Sequence, residues 1–471
     1  MTLLDKKTQH QFGIVYTPEP LINNILDLIP NHHFANPNFR WLDVGAGTGA
    51  FSKNLYNRLN IGLSSTIKND KFRHQHILTK MLFMVEIFPD HIKELENYFT
   101  LDANIIKQDF LTINTNNTTN ITTNNTTFDF IIGNPPYNID GALKTPTNTS
   151  LKKSEEGKQV YVEFVKHGLE LLNPDGFLNL IIPSLWLKPD KAGLYNILTN
   201  KKILKLHCLS TSETYKAFNY KAQTPTCYFL IQNIQMTSPE INIYDKINDT
   251  YIPYILHPQY PIPMCGISII NKLLIHIQKT GHIKVFKSNT PSIKSSFSQN
   301  NQSNHQYINI KTTLLNKETP VLIKNYSNVP QQFHNKPKLI LAHKMYGFPY
   351  LDISGEYGIS TRDNYIILPT HDPTNGPTHE LINNNDLKQL QAFLSTKFAL
   401  FIFSSTNYRM RYLEKYAFNF LPDITRITDF PNLLNISRAS RDQVIANYFN
   451  FTTIERENIE KHSKNYDFFI P

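Results

Sequence analysis

Two hydrophobic periods alternate along the first half of the chain. In Leu21-Ile22, Ile25-Leu26 and Leu28-Ile29, apolar residues return every three to four positions, which predicts one buried face of a helix. The run Arg40–Val44 that comes next is short and mostly apolar, as a buried strand is. Leu82–Glu86, Asn104–Gln108 and Phe128–Ile132 read the same way, with helical spacing over Ile87–Phe99. A helix is predicted over Val160–Leu172, stopped by a turn at Asn173-Pro174-Asp175-Gly176. Phe177–Ile182, Ile203–Cys208 and Thr226–Ile231 then read as three more strands. Strands alternating with helices imply a mostly parallel sheet covered on both faces, with ligands at the carboxyl ends of its strands.

From about residue 236 the pattern changes to irregular strand-like pieces and polar turns up to about 380. Helical stretches such as Asp386–Phe403 and Thr453–His462 come after them. A domain boundary near 236 is expected, and the length of 471 residues suits two or three domains. Two polar stretches interrupt the first half: the Asn/Thr-rich segment Ile113–Thr127, expected as a surface loop, and Asn138–Gln159, expected as a mobile one.

Hydrophobic residues at 40% supply enough material for sizeable cores. The longest apolar run, Phe398–Phe403, is far short of the roughly 18 residues a membrane span needs. The N-terminus carries charges and no apolar core, so no signal peptide is read there and no membrane partner is expected. Cys208, Cys227 and Cys265 contain no C-x-x-C pair, which argues against a disulfide framework or a cysteine-based zinc site; no metal is expected. These features describe a soluble, intracellular-type protein.

Charge is unevenly spread. Lys plus Arg number 47 against 38 acids, a formal +9. Residues 279–344 hold ten lysines (279, 284, 287, 294, 311, 317, 324, 336, 338 and 344) and one acid, Glu318, while the rest of the chain balances. Aromatics and amides are interleaved with these lysines, a mixture suited to phosphates and bases. A solvated lysine-rich face is the plainer reading, and it yields only if another region performs nucleic-acid chemistry.

Two motifs supply that chemistry. Three of the chain's 17 glycines fall in Asp43-Val44-Gly45-Ala46-Gly47-Thr48-Gly49-Ala50. A strand ending in such a loop and leading into a helix presents backbone N–H groups to an adenosine-containing cofactor. The segment also fits the dinucleotide pattern G-x-G-x-x-A. However, the next strand-end acid, Glu86, comes 36 residues after Ala50, beyond the roughly 20 expected of that fold. Asp43, just before the first glycine, suits a cationic ammonium. The second motif, Asn134-Pro135-Pro136-Tyr137, ends the strand Phe128–Ile132. Two prolines stiffen the backbone and leave carbonyls free. The Asn134 side-chain oxygen and the Pro135 carbonyl can accept both hydrogens of an –NH2 group, and Tyr137 offers a face to a planar base.

With these residues in this order the chain resembles the gamma class of adenine-specific, S-adenosylmethionine-dependent DNA methyltransferases. The likeness rests on motifs over about 11–235 and on layout beyond. It implies an α/β fold: a Rossmann-like methyltransferase domain with a mixed, mostly parallel sheet over residues 1–235. A mixed α+β target-recognition domain with a C-terminal helical section then covers 236–471. The resemblance assigns the cofactor to Tyr16, Thr17 and Pro18, to Asp43, Gly45, Gly47 and Gly49, to Glu86 at its ribose, and to Asp109 and Phe110 near its adenine. Asn134 to Tyr137 become catalytic, and Phe218 becomes the aromatic on the other face of an extruded base, with Tyr220 the competing choice. The segments Asn60–Ile77 and Ile113–Thr127 lengthen the gaps between these motifs and are expected as surface loops.

The activity implied by the resemblance is methyl transfer to the N6 amine of a flipped adenine in double-stranded DNA, by a cytoplasmic monomer in a bacterial or virus-infected cell. No fused nuclease is read in the chain, which leaves room for a separate restriction endonuclease as partner. An RNA adenine, a cytosine amine or a protein glutamine would also fit the –NH2 pocket, and a relative that binds DNA without turnover shares the same layout. A nicotinamide-dependent enzyme is disfavoured by the spacing to Glu86.

Overall fold

In the computed structural model, the residues described are 8, 12–113, 127–138, 159–189, 193–315, 320–343, 348–369, 384–409 and 413–462. Most of both polar stretches, Ile113–Thr127 and Asn138–Gln159, lies outside the described residues, as do Lys317 and Lys344. The chain forms two compact units: residues 1–244 with 251–259, and residues 245–250 with 260–471.

The first unit is built on a nine-stranded sheet. Its strands are β1 (Trp41–Asp43), β2 (Leu82–Val85), β3 (Asn104–Ile106), β4 (Phe128–Gly133), β5 (Leu172–Pro183), β6 (Lys201–Leu209), β7 (Thr226–Gln235), β8 (Glu240–Asp245) and β9 (Thr250–Ile255). They lie in the order β3-β2-β1-β4-β5-β7-β6-β8-β9. β3, β2, β1, β4 and β5 run parallel, and β7 is antiparallel to both its neighbours. This is the mixed, mostly parallel α/β sheet expected. Because β8 and β9 continue it, the first unit runs to Gln259, past the boundary expected near 236.

One face is organised by a row of rings. Trp41, Phe130 and Phe177 are neighbours in the parallel register, and Trp41 stacks on Phe130 at 3.8 Å while Phe130 stacks on Phe177 at 4.8 Å. Aromatic pairs of this kind add about 0.5–1.5 kcal/mol beyond their buried area. The buried sides of the helices Glu19–Leu26 and Ala50–Gly62 belong to the same hydrophobic core.

Two local expectations change. The helix Val160–Leu171 stops where expected, but Asn173–Gly176 is not a separate turn. Phe128 pairs with Leu172 and Phe130 with Phe177, so the four residues bulge out within β5, with Asp175 at φ 68°. Asn60–Ile77 is not simply a loop either. Asn69 caps a helix at Asp70–His76, and Arg73 from that helix is buried against Asp70 and Asn60.

The second unit carries two four-stranded sheets. One contains β10 (Phe286–Lys287), β14 (Lys338–Ala342), β15 (Tyr350–Asp352) and β17 (Asn364–Ile367); the other contains β11 (Phe297–Ser298), β12 (Tyr307–Leu315), β13 (Pro320–Ser327) and β16 (Gly358–Ile359). A helix at Ile267–Thr280, not expected from the sequence, precedes them. The stretch Asp386–Phe403 is two helices, Asn384–Leu394 and Lys397–Ser404, the second capped by Thr396. No helix among the described residues is long and apolar enough to cross a membrane.

Lys338 corrects the reading of the basic segment. Its side chain is 0% exposed, and Nζ lies 2.5 Å from Asp352 Oδ2. Burial pushes the Lys338 ammonium below its usual pKa, opposed by Asp352. Asp352 also accepts from the N–H groups of Glu356 and Tyr357. Lys338→Met leaves that carboxylate uncompensated and should destabilise the protein by about 3–5 kcal/mol, read as a lowered urea midpoint; an unchanged midpoint would refute the structural role.

Candidate active site

The site lies where four parallel strands end. Asp43 is level with Met84 and Ile132, and Met84 with Ile105, so the loops after β1, β2, β3 and β4 leave the sheet at one edge. A cavity of about 220 Å³ opens there, and its lining includes Tyr16, Thr17, Gly45, Gly47, Glu86, Asp109, Phe110 and the tetrapeptide Asn134–Tyr137. Residues separated by more than a hundred positions in sequence are thereby brought together.

The loop after β1 is shaped to receive a ligand. A Cβ added at Gly45 or Gly47 would meet no protein atom within 4 Å, so both glycines hold open space that side chains would fill. Gly47 sits at φ 56°, a conformation glycine adopts without strain. Its N–H donates to Glu86 Oε2 at 2.7 Å, and Glu86 Oε1 accepts from the N–H groups of Ile87 and Phe88 at 2.8 and 2.9 Å. Glu86 thus ties the β1 loop to the β2 loop.

Asp43 has a different place from the one expected. It is fully buried and does not line the cavity; Oδ2 accepts from the Ser52 hydroxyl at 2.7 Å and Oδ1 lies 3.5 Å from the Gly45 N–H. It braces the glycine loop and the following helix, and does not face a ligand ammonium. Burial pushes its pKa up to about 6, with the Ser52 hydrogen bond opposing and the nearby Glu86 charge adding to the rise. Gly49 and Pro18 also lie outside the lining. Gly49, at φ 87°, starts the helix Ala50–Gly62, where a Cβ would press on Leu95 at 2.9 Å. The Pro18 carbonyl accepts from Leu21 and Ile22 and opens the helix Glu19–Leu26.

The tetrapeptide is held by the N-terminal segment. Asn134 Nδ2 donates to the Val15 carbonyl at 3.1 Å and to Thr17 Oγ1 at 3.0 Å. The Val15 carbonyl only accepts, so the amide orientation is settled: the NH2 faces the segment and Oδ1 faces away. Oδ1 is buried and has no hydrogen-bond partner among the described residues. Gly133, at φ 132°, lets the end of β4 pass Asp43, whose Oδ1 would lie 3.1 Å from an added Cβ. Gly13 is tighter still, since a Cβ there would be 2.2 Å from the Asn138 carbonyl oxygen. The role of residues 13–17 in orienting Asn134 was not legible in sequence.

Tyr137 lines the cavity at 8% exposure, and burial raises the pKa of its hydroxyl. Phe110 is buried and stacks on Phe164, while Asp109 is exposed and caps the short turn Phe110–Thr112 through Leu111 N–H. Phe218 does not belong to this site. It is 0% exposed, within the hydrophobic core at the end of the helix Thr211–Ala217, where no base can stack. Tyr220, at φ 66°, is 66% exposed and meets Tyr215 edge-on. Phe12, Phe88 and His91 line the cavity without having been expected there.

In the second unit Lys279, Lys284, Lys287, Lys294 and Lys336 are exposed; Lys324 instead bonds the Tyr357 hydroxyl. No Asp or Glu occurs between Asp249 and Glu318.

Residues 50–218 match the family model described as Eco57I restriction-modification methylase. A Mycoplasma pneumoniae protein named "Uncharacterized adenine-specific methylase" is 23% identical over 292 residues, 46% of this chain and 67% of that protein. Type II methyltransferase M.BstVI of Geobacillus stearothermophilus is 28% identical over 209 residues, 38% of this chain and 36% of its own length. Among solved structures, the M protein of the type I restriction enzyme EcoKI has a TM-score of 0.36 at 17% identity, covering 49% of this chain and 48% of that one. This chain therefore spans about half or less of the last two. Its central region is similar to methylases of the restriction-modification type.

The raised pKa of Asp43 has a measurable consequence. Its folded-state value lies above the roughly 3.9 of an unfolded aspartate, so the folded chain holds this proton more tightly. The stability so gained is complete below about pH 4 and is lost as pH rises through 6, a change of roughly 3 kcal/mol. Asp43→Asn should flatten that part of the pH dependence in urea unfolding from pH 4 to 7; an unaltered slope would rule the assignment out.

Proposed function

We propose that the protein is a site-specific DNA methyltransferase that transfers a methyl group from S-adenosylmethionine to the N6 amine of an adenine flipped out of the duplex. The observation that carries this reading is the Asn134 amide, with its NH2 pinned by Val15 and Thr17 and its buried oxygen left without a partner among the described residues. A buried acceptor without a donor costs about 1–3 kcal/mol; the amide oxygens of Asn179, Asn309 and Asn364 share that state, but Asn134 lines the cavity, where a ligand N–H can reach it.

The residues present fit the cofactor. Gly45 and Gly47 leave the space of a cradle, Glu86 supplies a carboxylate suited to ribose hydroxyls, and Asp109 and Phe110 stand at the cavity as an acid and an apolar ring. When bound, S-adenosylmethionine supplies a methyl group on an electron-poor sulfonium. The chain's own part is positioning. Asn134 Oδ1 and the Pro135 carbonyl accept the two amine hydrogens, which draws the nitrogen lone pair out of conjugation with the ring and leaves it free to attack. Such orientation accounts for much of the rate enhancement in reactions of this kind. Tyr137 offers its ring to the base, and of the two candidates for the opposite face Tyr220 is the one exposed. Extruding the base costs on the order of a few kcal/mol. The exposed lysines and the acid-free stretch before Glu318 support a polyanionic substrate.

The test is to express the protein and its Asn134→Ala variant in a host lacking adenine methylation and to map modified bases by long-read sequencing. Methylated adenine in one sequence context, reduced at least ~100-fold in the variant as is typical when a key hydrogen-bonding group at the reacting centre is removed, is the expected result. Unmodified DNA from a wild type that binds S-adenosylmethionine would reject DNA as substrate in favour of RNA or protein glutamine.

A further inference from the structure

Three consecutive residues, Val15, Tyr16 and Thr17, touch both halves of the site. The Tyr16 hydroxyl lies 2.9 Å from His91 Nε2, and His91 Nδ1 lies 3.4 Å from Glu86 Oε2. That Nδ1–carboxylate contact is a close approach and not a hydrogen bond, so the Glu86 charge lies beside the ring while Nε2 and the tyrosine hydroxyl share one hydrogen bond whose direction follows the tautomer. Glu86 is in turn bonded by Gly47 of the glycine loop. His91 is 1% exposed and lines the cavity from the first turn of the helix Pro89–Phe99. On either side of Tyr16, the Val15 carbonyl and the Thr17 hydroxyl hold the Asn134 amide.

The segment is anchored at both ends. Gly13 packs on the Asn138 carbonyl too closely for any side chain, and Pro18 starts the helix Glu19–Leu26. The Val15 carbonyl lies in the planar peptide unit that includes the Tyr16 nitrogen, so a shift of the Tyr16 backbone moves that oxygen directly, and Thr17 follows one residue on.

We propose that Tyr16 and His91 are positioning residues that couple occupancy of the Glu86 side of the cavity to the orientation of Asn134. A nucleoside-bearing cofactor engaging Glu86 tightens the Glu86–His91–Tyr16 chain, and the same segment then fixes the acceptor for the target amine. The order is set by chemistry: the amine is gripped in its reactive geometry once the methyl donor is in place, and by reciprocity a bound target strengthens cofactor binding. This inference rests on the cofactor site proposed above.

The experiment measures two quantities in the full chain: S-adenosylmethionine affinity by calorimetry, and single-turnover methylation of genomic DNA from a host lacking adenine methylation, at saturating cofactor. Tyr16→Phe and His91→Leu should weaken binding about fivefold to twentyfold and also slow the saturated single turnover by a similar factor. His91→Gln, whose amide can occupy the place of Nε2, should regain most of that rate. Tyr16→Phe loses one oxygen and keeps its ring, so an unchanged melting temperature serves as its folding control. A rate fully restored at saturation, with affinity alone reduced, would show that the two residues only hold cofactor and would overturn the coupling; so would variants indistinguishable from wild type. A wild type that fails to bind S-adenosylmethionine, or binds it without methylating DNA, would instead overturn the underlying reading.

Discussion

The parallel register of β1, β2, β3 and β4 is the constraint on which the site depends. Parallel strands level with one another at their carboxyl ends deliver their loops to a common edge, whatever their separation along the chain. The stacked row Trp41–Phe130–Phe177 helps hold that register, because a slip of one residue would turn each ring to the opposite face. Glu86 then bonds the β1 loop to the β2 loop, and Gly133 lets β4 end against Asp43. The cavity is thus a consequence of sheet geometry first and of side-chain chemistry second.

On that frame, polar groups are buried with unequal satisfaction. Asp43 and Glu86 spend their oxygens on hydroxyl and backbone donors within the chain, and so stiffen the loops. Asn134 bonds the protein through its NH2, and its oxygen has no partner among the described residues. A donor within the chain would have made the fold more stable; on the reading proposed above, this acceptor is left for a ligand N–H.

The parts of the site legible in the sequence are those set by short-range interactions. Gly45, Gly47, Glu86 and Asn134 were legible because each answers a local demand, a tight turn or a strand-end position, that leaves its mark within a few residues. Gly49 and Asp43 lay in the same motif, yet their roles were misread, since only the three-dimensional packing of Leu95 and Ser52 separates a brace from a ligand contact. Phe218 and Tyr220 are two positions apart, and the left-handed turn at Asn219 and Tyr220 that follows the helix Thr211–Ala217 leaves the first in the core and the second at the surface. His91 carried no signal at all, because its partners Tyr16 and Glu86 come from different elements.

The second unit shows the same limit for secondary structure and for charge. Ile267, Ile270, Leu273, Leu274 and Ile277 have helical spacing, but their setting among β-branched residues and polar turns concealed it. Burial of that face, which propensity does not measure, settles the helix. A row of lysines likewise reads as a uniform basic surface until packing sorts it. Lys338 answers Asp352 in the interior and Lys324 a tyrosine, so the attraction for phosphates falls to those that remain exposed. No acid interrupts the chain between Asp249 and Glu318, although Asp423 and Asp429 from a later segment come near His282 and His276, beside Lys284 and Lys279. The positive field that a polyanion would encounter is therefore weaker than the count of ten implies.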